Sequence, residues 1–185
     1  MTTYFKKIDI NLPFPTDYNK IKGELLFHYG QIKYYELIDL KYQQLLSDSF
    51  IVPPKNIFVT ECSGTLLPHH DSGQESCLNF YLQASNYITS FWTPNKDAKK
   101  RKSVRYDSIN DKYLNEELGY YINDLTLIDS FIAESGDVYF LNIKEIHSVK
   151  TNNLIQSSLN DTRILIQMQW DCSMIQMMEQ LGFLD

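Results

Sequence analysis

From Ile57 onward the chain breaks into short runs of β-branched and aromatic residues: "IFVTEC", "SCLNFYLQ", "YITSFW", "LTLIDSFIA", "GDVYFLNI", "HSVKT" and "RILIQMQW". Each run is about the length of one strand, and turn-forming residues separate them. Seven candidate strands crowd into residues 57–170, little more than 110 residues. The pattern therefore predicts an antiparallel sandwich or barrel and excludes alternating β and α units. An aromatic content of 13 Tyr, 10 Phe and 2 Trp points the same way, since aromatic side chains fit a pleated, half-buried surface.

The flanks read differently. A short extended piece is expected at 4–10. Over 34–48, "YYELIDLKYQQLLSD", apolar and aromatic residues recur at spacings near three, four and seven before Pro53 and Pro54, which predicts a helix. The tail "CSMIQMMEQLGFLD" predicts a short closing helix. With no repeat and no Gly/Ser/Pro-rich linker, the 185 residues are expected to form one domain: an N-terminal α/β cover over 1–56, a β core over 57–170 and the closing helix over 171–185.

Composition narrows the function classes. A chain that is 43% hydrophobic and 22% charged is not a disordered one. The formal net charge of −6 and the acidic pI near 5.2 argue against non-specific binding to nucleic acid or an anionic membrane. No signal peptide and no apolar run of membrane-spanning length is visible. The cysteines Cys62, Cys77 and Cys172 are odd in number and lack Cys-x-x-Cys spacing, so they read as reduced thiols in a cytoplasmic protein. Between Trp92 and Leu125 lies a polar stretch in which Lys96, Lys99, Lys100, Arg101, Lys102 and Arg105 crowd six cations into ten residues. It reads as a solvated hairpin insertion at one end of the sandwich, or as a mobile lid over a pocket mouth.

Three of the four histidines fall in two informative segments. In "GTLLPHHDSG", His69 and Asp71 are two apart at the end of a strand, a spacing that projects both side chains to one face, while His70 points away. His147 opens the strand "HSVKT", and Arg163 opens "RILIQMQW". Two imidazoles and one carboxylate form the facial ligand set of non-haem Fe(II) sites, with positions left open for a cosubstrate and O₂. An arginine deep in such a pocket suits a distant carboxylate, because its planar fork pairs two oxygens at once. Taken singly, His69 and Asp71 fit a turn in which Asp71 accepts backbone N–H bonds, and His28, among Leu25, Leu26 and Phe27, reads as a satisfied core or partly exposed histidine.

The order of these segments, from His-x-Asp at a strand end through a Gly-Asp turn and apolar strand to His147 and Arg163, resembles the Fe(II)/2-oxoglutarate-dependent oxygenase superfamily over about residues 57–170. Within it, "LPHHDSGQESCLNFYL" and "SGDVYFLNIKEIHSV" are similar to the metal-binding segments of aspartyl/asparaginyl β-hydroxylase-like and related bacterial and phage hydroxylases. The resemblance implies a mainly β, cupin-like jelly roll, also called a double-stranded β-helix. It implies His69, Asp71 and His147 as catalytic metal ligands, Arg163 as the anchor for 2-oxoglutarate, and Asn79 and Tyr81 as further lining of the cosubstrate pocket. Fe(II), 2-oxoglutarate and O₂ would then be required for hydroxylation of a peptide side chain, amino acid or small metabolite. Two rivals remain: a non-catalytic jelly roll that binds metal or ligand, and a zinc- or manganese-dependent cupin-like isomerase, neither of which needs a buried arginine opposite the metal.

Overall fold

The computed structural model describes residues 3–71, 73–152 and 162–183. In chain order the elements are β1 (Phe5–Lys7), α1 (Tyr18–Ile21), β2 (Lys22–Tyr29), β3 (Ile32–Leu37), α2 (Leu40–Asp48), β4 (Asn56–Cys62), β5 (Leu66–His69), β6 (Ser76–Gln83), β7 (Tyr87–Pro94), β8 (Lys100–Asp107), β9 (Lys112–Tyr120), β10 (Leu125–Ile132), β11 (Val138–Asn142), β12 (Ile146–Thr151), β13 (Arg163–Trp170) and α3 (Met174–Gln180). Every strand pairing among the described residues is antiparallel.

Two four-stranded sheets carry the architecture, one in the order β11-β6-β13-β4 and the other β5-β12-β7-β10. The chain switches sheets at every step from β4 to β7 and again at every step from β10 to β13. That alternation is the jelly-roll topology, the form of the fold expected from the seven strand-like runs. On one side β3, β2, β8 and β9 continue the ladder from β4 round to β5, and β1 extends the first sheet at β11.

The first sheet is buried on both faces, and β13 shows how its sequence achieves this. Ile164, Ile166 and Met168 join the cluster that includes Leu46 of α2 and Met174 and Met177 of α3. Arg163, Leu165 and Gln167, on the opposite face, line the space between the sheets. Leu46 is fully enclosed. Leu46→Ala should therefore cost about 2–5 kcal/mol of unfolding free energy, measured by urea denaturation, while leaving metal binding intact in the folded fraction.

The N-terminal flank departs from the sequence reading. The helix expected over 34–48 is confined to α2, and residues 32–37 are a strand in which Ile32 and Tyr34 are buried on either side of exposed Lys33, with Tyr34 opposite Thr60 of β4. Asp39, two residues past the strand, caps the helix, its carboxylate accepting from the backbone N–H groups of Lys41 and Tyr42. The polar stretch between Trp92 and Leu125 is a paired hairpin rather than an irregular lid. Its strands β8 and β9 carry charge where apolar alternation would have marked them, and ladder bonds to each other, to β2 and to β5 hold them. No helix among the described residues is long and apolar enough to cross a membrane.

Candidate metal centre

His69 and His147 are directly opposite each other in the pairing of β5 with β12, so both imidazoles leave the sheet on its inner face, with ring centroids 4.4 Å apart. Asp71 lies just beyond the end of β5, where its backbone N–H donates to the Ile143 carbonyl at 3.0 Å. This tether turns its carboxylate back toward His69, and Asp71 Oδ1 lies 3.2 Å from His69 Nε2. The three side chains each offer one ligand atom, all within 4.8 Å of one another. His70, the intervening residue, instead has its ring 5.9 Å from that of Tyr120.

The backbone selects the tautomer of both histidines. His69 Nδ1 is 3.0 Å from the Leu67 carbonyl, and His147 Nδ1 is 3.0 Å from the Glu145 carbonyl. A carbonyl oxygen only accepts, so each Nδ1 carries the hydrogen and each Nε2 keeps its lone pair for the centre. Bare Nε2 of His69 and the Asp71 carboxylate are both electron-pair donors. At 3.2 Å they need a cation between them, a proton or a metal ion. This donor set, two neutral imidazoles and a carboxylate, suits a divalent first-row metal.

Burial dominates the electrostatics. His147 is 7% exposed, and desolvation together with the nearby His69 pushes its imidazole down to about 4. Burial opposes ionisation of Asp71, but in the metal-free site a proton shared with His69 Nε2 and the charges of the surrounding imidazoles outweigh it and hold the carboxyl below its ordinary value. In the unfolded chain His147 would titrate near ~6.5. Between about pH 4 and that value the unfolded state therefore binds the extra proton, and the metal-free protein should gain roughly 1.4 kcal/mol of stability per pH unit as pH rises, levelling off above it. Denaturant titrations of metal-free protein from pH 4.5 to 7.5 would measure this slope, which His147→Gln should remove.

The same cavity contains Arg163. It lies between the sheets and is lined by His69, Asp71, His147, Asn79, Thr89, Arg163 and Gln167, with apolar walls from residues such as Leu141, Ile143 and Leu165. Arg163 is only 6% exposed. One Nη donates to Thr89 Oγ1 at 3.1 Å, and the guanidinium sits over the rings of Tyr81 and Tyr87 at 5.1 and 5.9 Å. Its Nε is buried and has no hydrogen-bond partner, and no carboxylate among the described residues pairs with it. Asn79 lines the cavity, and its amide donates to Tyr81 Oη at 3.4 Å, so Tyr81 serves as a wall behind Arg163. Thr89 was not evident from the sequence. Its only mark is its place in an alternating strand, and its contact with Arg163 is made across 74 residues of chain.

As it stands the cavity encloses about 40 Å³, room for about three waters. A wider cavity of about 290 Å³ adjoins it on the side of β8 and shares Leu66, His69 and Asp71 with it.

No protein-family model matches the chain, and no curated protein does. Among solved structures it is similar to vicilin from Corylus avellana (hazelnut), at 10% identity and a TM-score of 0.36, covering 81% of this chain and 30% of that one. It is also similar to AviO1 from Streptomyces viridochromogenes Tue57, at 13% identity and a TM-score of 0.36, covering 74% of this chain and 59% of the other. The chain thus spans less than two thirds of the length of either.

Proposed function

We propose that this protein is an Fe(II)- and 2-oxoglutarate-dependent dioxygenase that hydroxylates a small-molecule or peptide substrate. The observation that carries this reading is a buried guanidinium, without an acid partner among the described residues, in the same cavity as His69, Asp71 and His147. A buried cation is costly unless something neutralises it, and the counter-charge that fits here is a carboxylate supplied by a ligand.

When bound, Fe(II) would couple the conversion of 2-oxoglutarate and O₂ to succinate and CO₂ with insertion of the second oxygen atom into a substrate C–H bond. The protein's own groups divide the remaining work. His69, Asp71 and His147 hold the metal, with the Leu67 and Glu145 carbonyls fixing the two ring orientations. Arg163 pairs with the far carboxylate of the cosubstrate, and Thr89 and the Tyr81 ring hold the guanidinium in place. Leu141, Ile143 and Leu165 exclude water from the reacting centre. The unpaired thiols of Cys62, Cys77 and Cys172 favour a reducing compartment such as the cytoplasm.

The size of the cavity favours a second reading, a jelly roll that binds metal without a 2-oxo acid. A five-carbon dicarboxylate needs more room than about 40 Å³, so wall side chains must move to admit it. One experiment separates the two. Anaerobic protein loaded with Fe(II) is titrated with 2-oxoglutarate, then exposed to O₂. The dioxygenase develops a weak visible absorption band on titration and releases succinate and CO₂ with O₂. A binding protein takes up Fe(II) but gives neither the band nor succinate.

A further inference from the structure

We infer that Arg101, laid across Gly119 toward the metal centre, anchors an anionic group on the substrate, so that the substrate is a small acid bearing a carboxylate or phosphate. The inference rests on the dioxygenase reading and assigns a substrate class to the same site. Three strands place the residues. Arg101 of β8 is opposite Gly119 of β9, and Gly119 is in turn opposite His69 of β5. Residues directly opposite in an antiparallel ladder share a face, and two strand spacings set the Arg101 and His69 backbones roughly 10 Å apart.

Gly119 is what lets the guanidinium occupy the space between them. A Cβ at this position would lie 2.9 Å from Arg101 Nη2 and 2.9 Å from Ser103 Oγ, so any side chain there would displace the arginine. Arg101 and Lys102 line the cavity of about 290 Å³ that His69 and Asp71 also line, with Leu66, Leu67 and Val104 as apolar wall. The neighbouring arginine on the same face shows what a structural cation looks like here. Arg105 lies 3.5 Å from the Glu116 carboxylate, which also accepts from Tyr29 Oη. Arg101 has no such partner among the described residues. Its Nη1 reaches only the Lys102 carbonyl, at 3.3 Å, and its Nε, like that of Arg105, is buried without a hydrogen bond, so the nearby carboxylate is what separates the two. A cavity with metal ligands on one wall and an uncompensated guanidinium on another suits a molecule whose acidic end docks at Arg101 and whose reactive carbon lies toward His69 and Asp71.

The test uses metal-free full-length protein with ¹⁵N-labelled arginine, titrated separately with hexanoate and with inorganic phosphate. The Arg101 Nε–Hε signal is assigned by its loss in Arg101→Lys. At least one anion should shift that signal, and affinity read by calorimetric titration should weaken at least tenfold in Arg101→Gln and several-fold in Gly119→Ala, which keeps the charge but fills the cradle. In Arg163→Gln this binding should persist. A response to hexanoate alone identifies a carboxylate substrate, and a response to phosphate alone identifies a phosphorylated one. An Arg101 signal that neither anion moves, or equal affinity in Arg101→Gln, overturns the inference. Loss of all anion binding in Arg163→Gln alone also overturns it, while leaving the dioxygenase reading intact. Conversely, a failed Fe(II) and 2-oxoglutarate titration with a normal Arg101 response removes the dioxygenase reading but not the anion site.

Discussion

Asp71→Ala is expected to lower affinity for a divalent metal by at least about 100-fold, beyond the 10–100-fold that loss of a partner behind a metal ligand costs, and to abolish Fe(II)-dependent decarboxylation of 2-oxoglutarate. The carboxylate is the sole anion of the three-residue cluster, and without it two neutral imidazoles face a dication with no charge compensation. The variant should still fold, because Asp71 lies beyond the end of β5 and its contribution to the sheet is a backbone bond to Ile143 that alanine retains. His70→Ala is the matched control. It removes a histidine adjacent in sequence whose ring packs toward Tyr120 instead, and metal affinity should stay within a few-fold of the parent. Calorimetric titration with Fe(II) under anaerobic conditions, or with Co(II) followed by its visible spectrum, reads both. Metal binding lost in His70→Ala and retained in Asp71→Ala would mean that the ligand set is a different one.

Arg163→Met should separate stability from cosubstrate binding. Methionine keeps much of the arginine's apolar stem, so the substitution removes a buried charge that has one hydrogen bond and two aromatic faces as compensation among the described residues. Replacing a poorly compensated buried cation by an apolar side chain stabilises by about 1–4 kcal/mol, and for a chain of this length each kcal/mol raises Tm by about 2–4 °C. The metal-free variant should therefore melt several degrees higher than the parent. Its requirement for 2-oxoglutarate should rise at least tenfold, since a bidentate charged contact contributes a few kcal/mol, while metal affinity stays nearly unchanged. Equal cosubstrate dependence in parent and variant would show that another group holds the carboxylate. A lower melting temperature would show that Arg163 supports the fold instead.

The buried polar residues of β13 are also what made the strand legible from its sequence. "RILIQMQW" alternates an apolar face, bound for α2 and α3, with a face that carries Arg163, Gln167 and Gln169. A strand that buries three polar residues on one face, with only Leu165 among them, is either unstable or lines something polar. The His-x-Asp spacing was legible for a related reason, because the period of two in extended chain fixes which neighbours share a side. The strands β2 and β3 did not announce themselves, and the β8–β9 hairpin was expected as an insertion without its strand bounds. Tyr34 and Leu37, three apart, fit a helical stripe, and only the pairing with β4 makes residues 32–37 a strand, while β8 sets charge beside charge.

The local chain therefore determined the elements whose pattern is set by their own backbone period: the strands of the two main sheets, the closing helix, and the candidate ligands at one strand end and the start of another. What tertiary structure decided is everything that depends on register between strands distant in sequence. It set His147 opposite His69, put the Arg163 guanidinium against Thr89 and the Tyr81 ring, and brought Gly119 between Arg101 and the metal centre. A strand's side-chain alternation is a property of the strand alone. Which partner lies opposite is fixed only when the sheets close, because the free energy that selects it comes from burying both faces of the first sheet together.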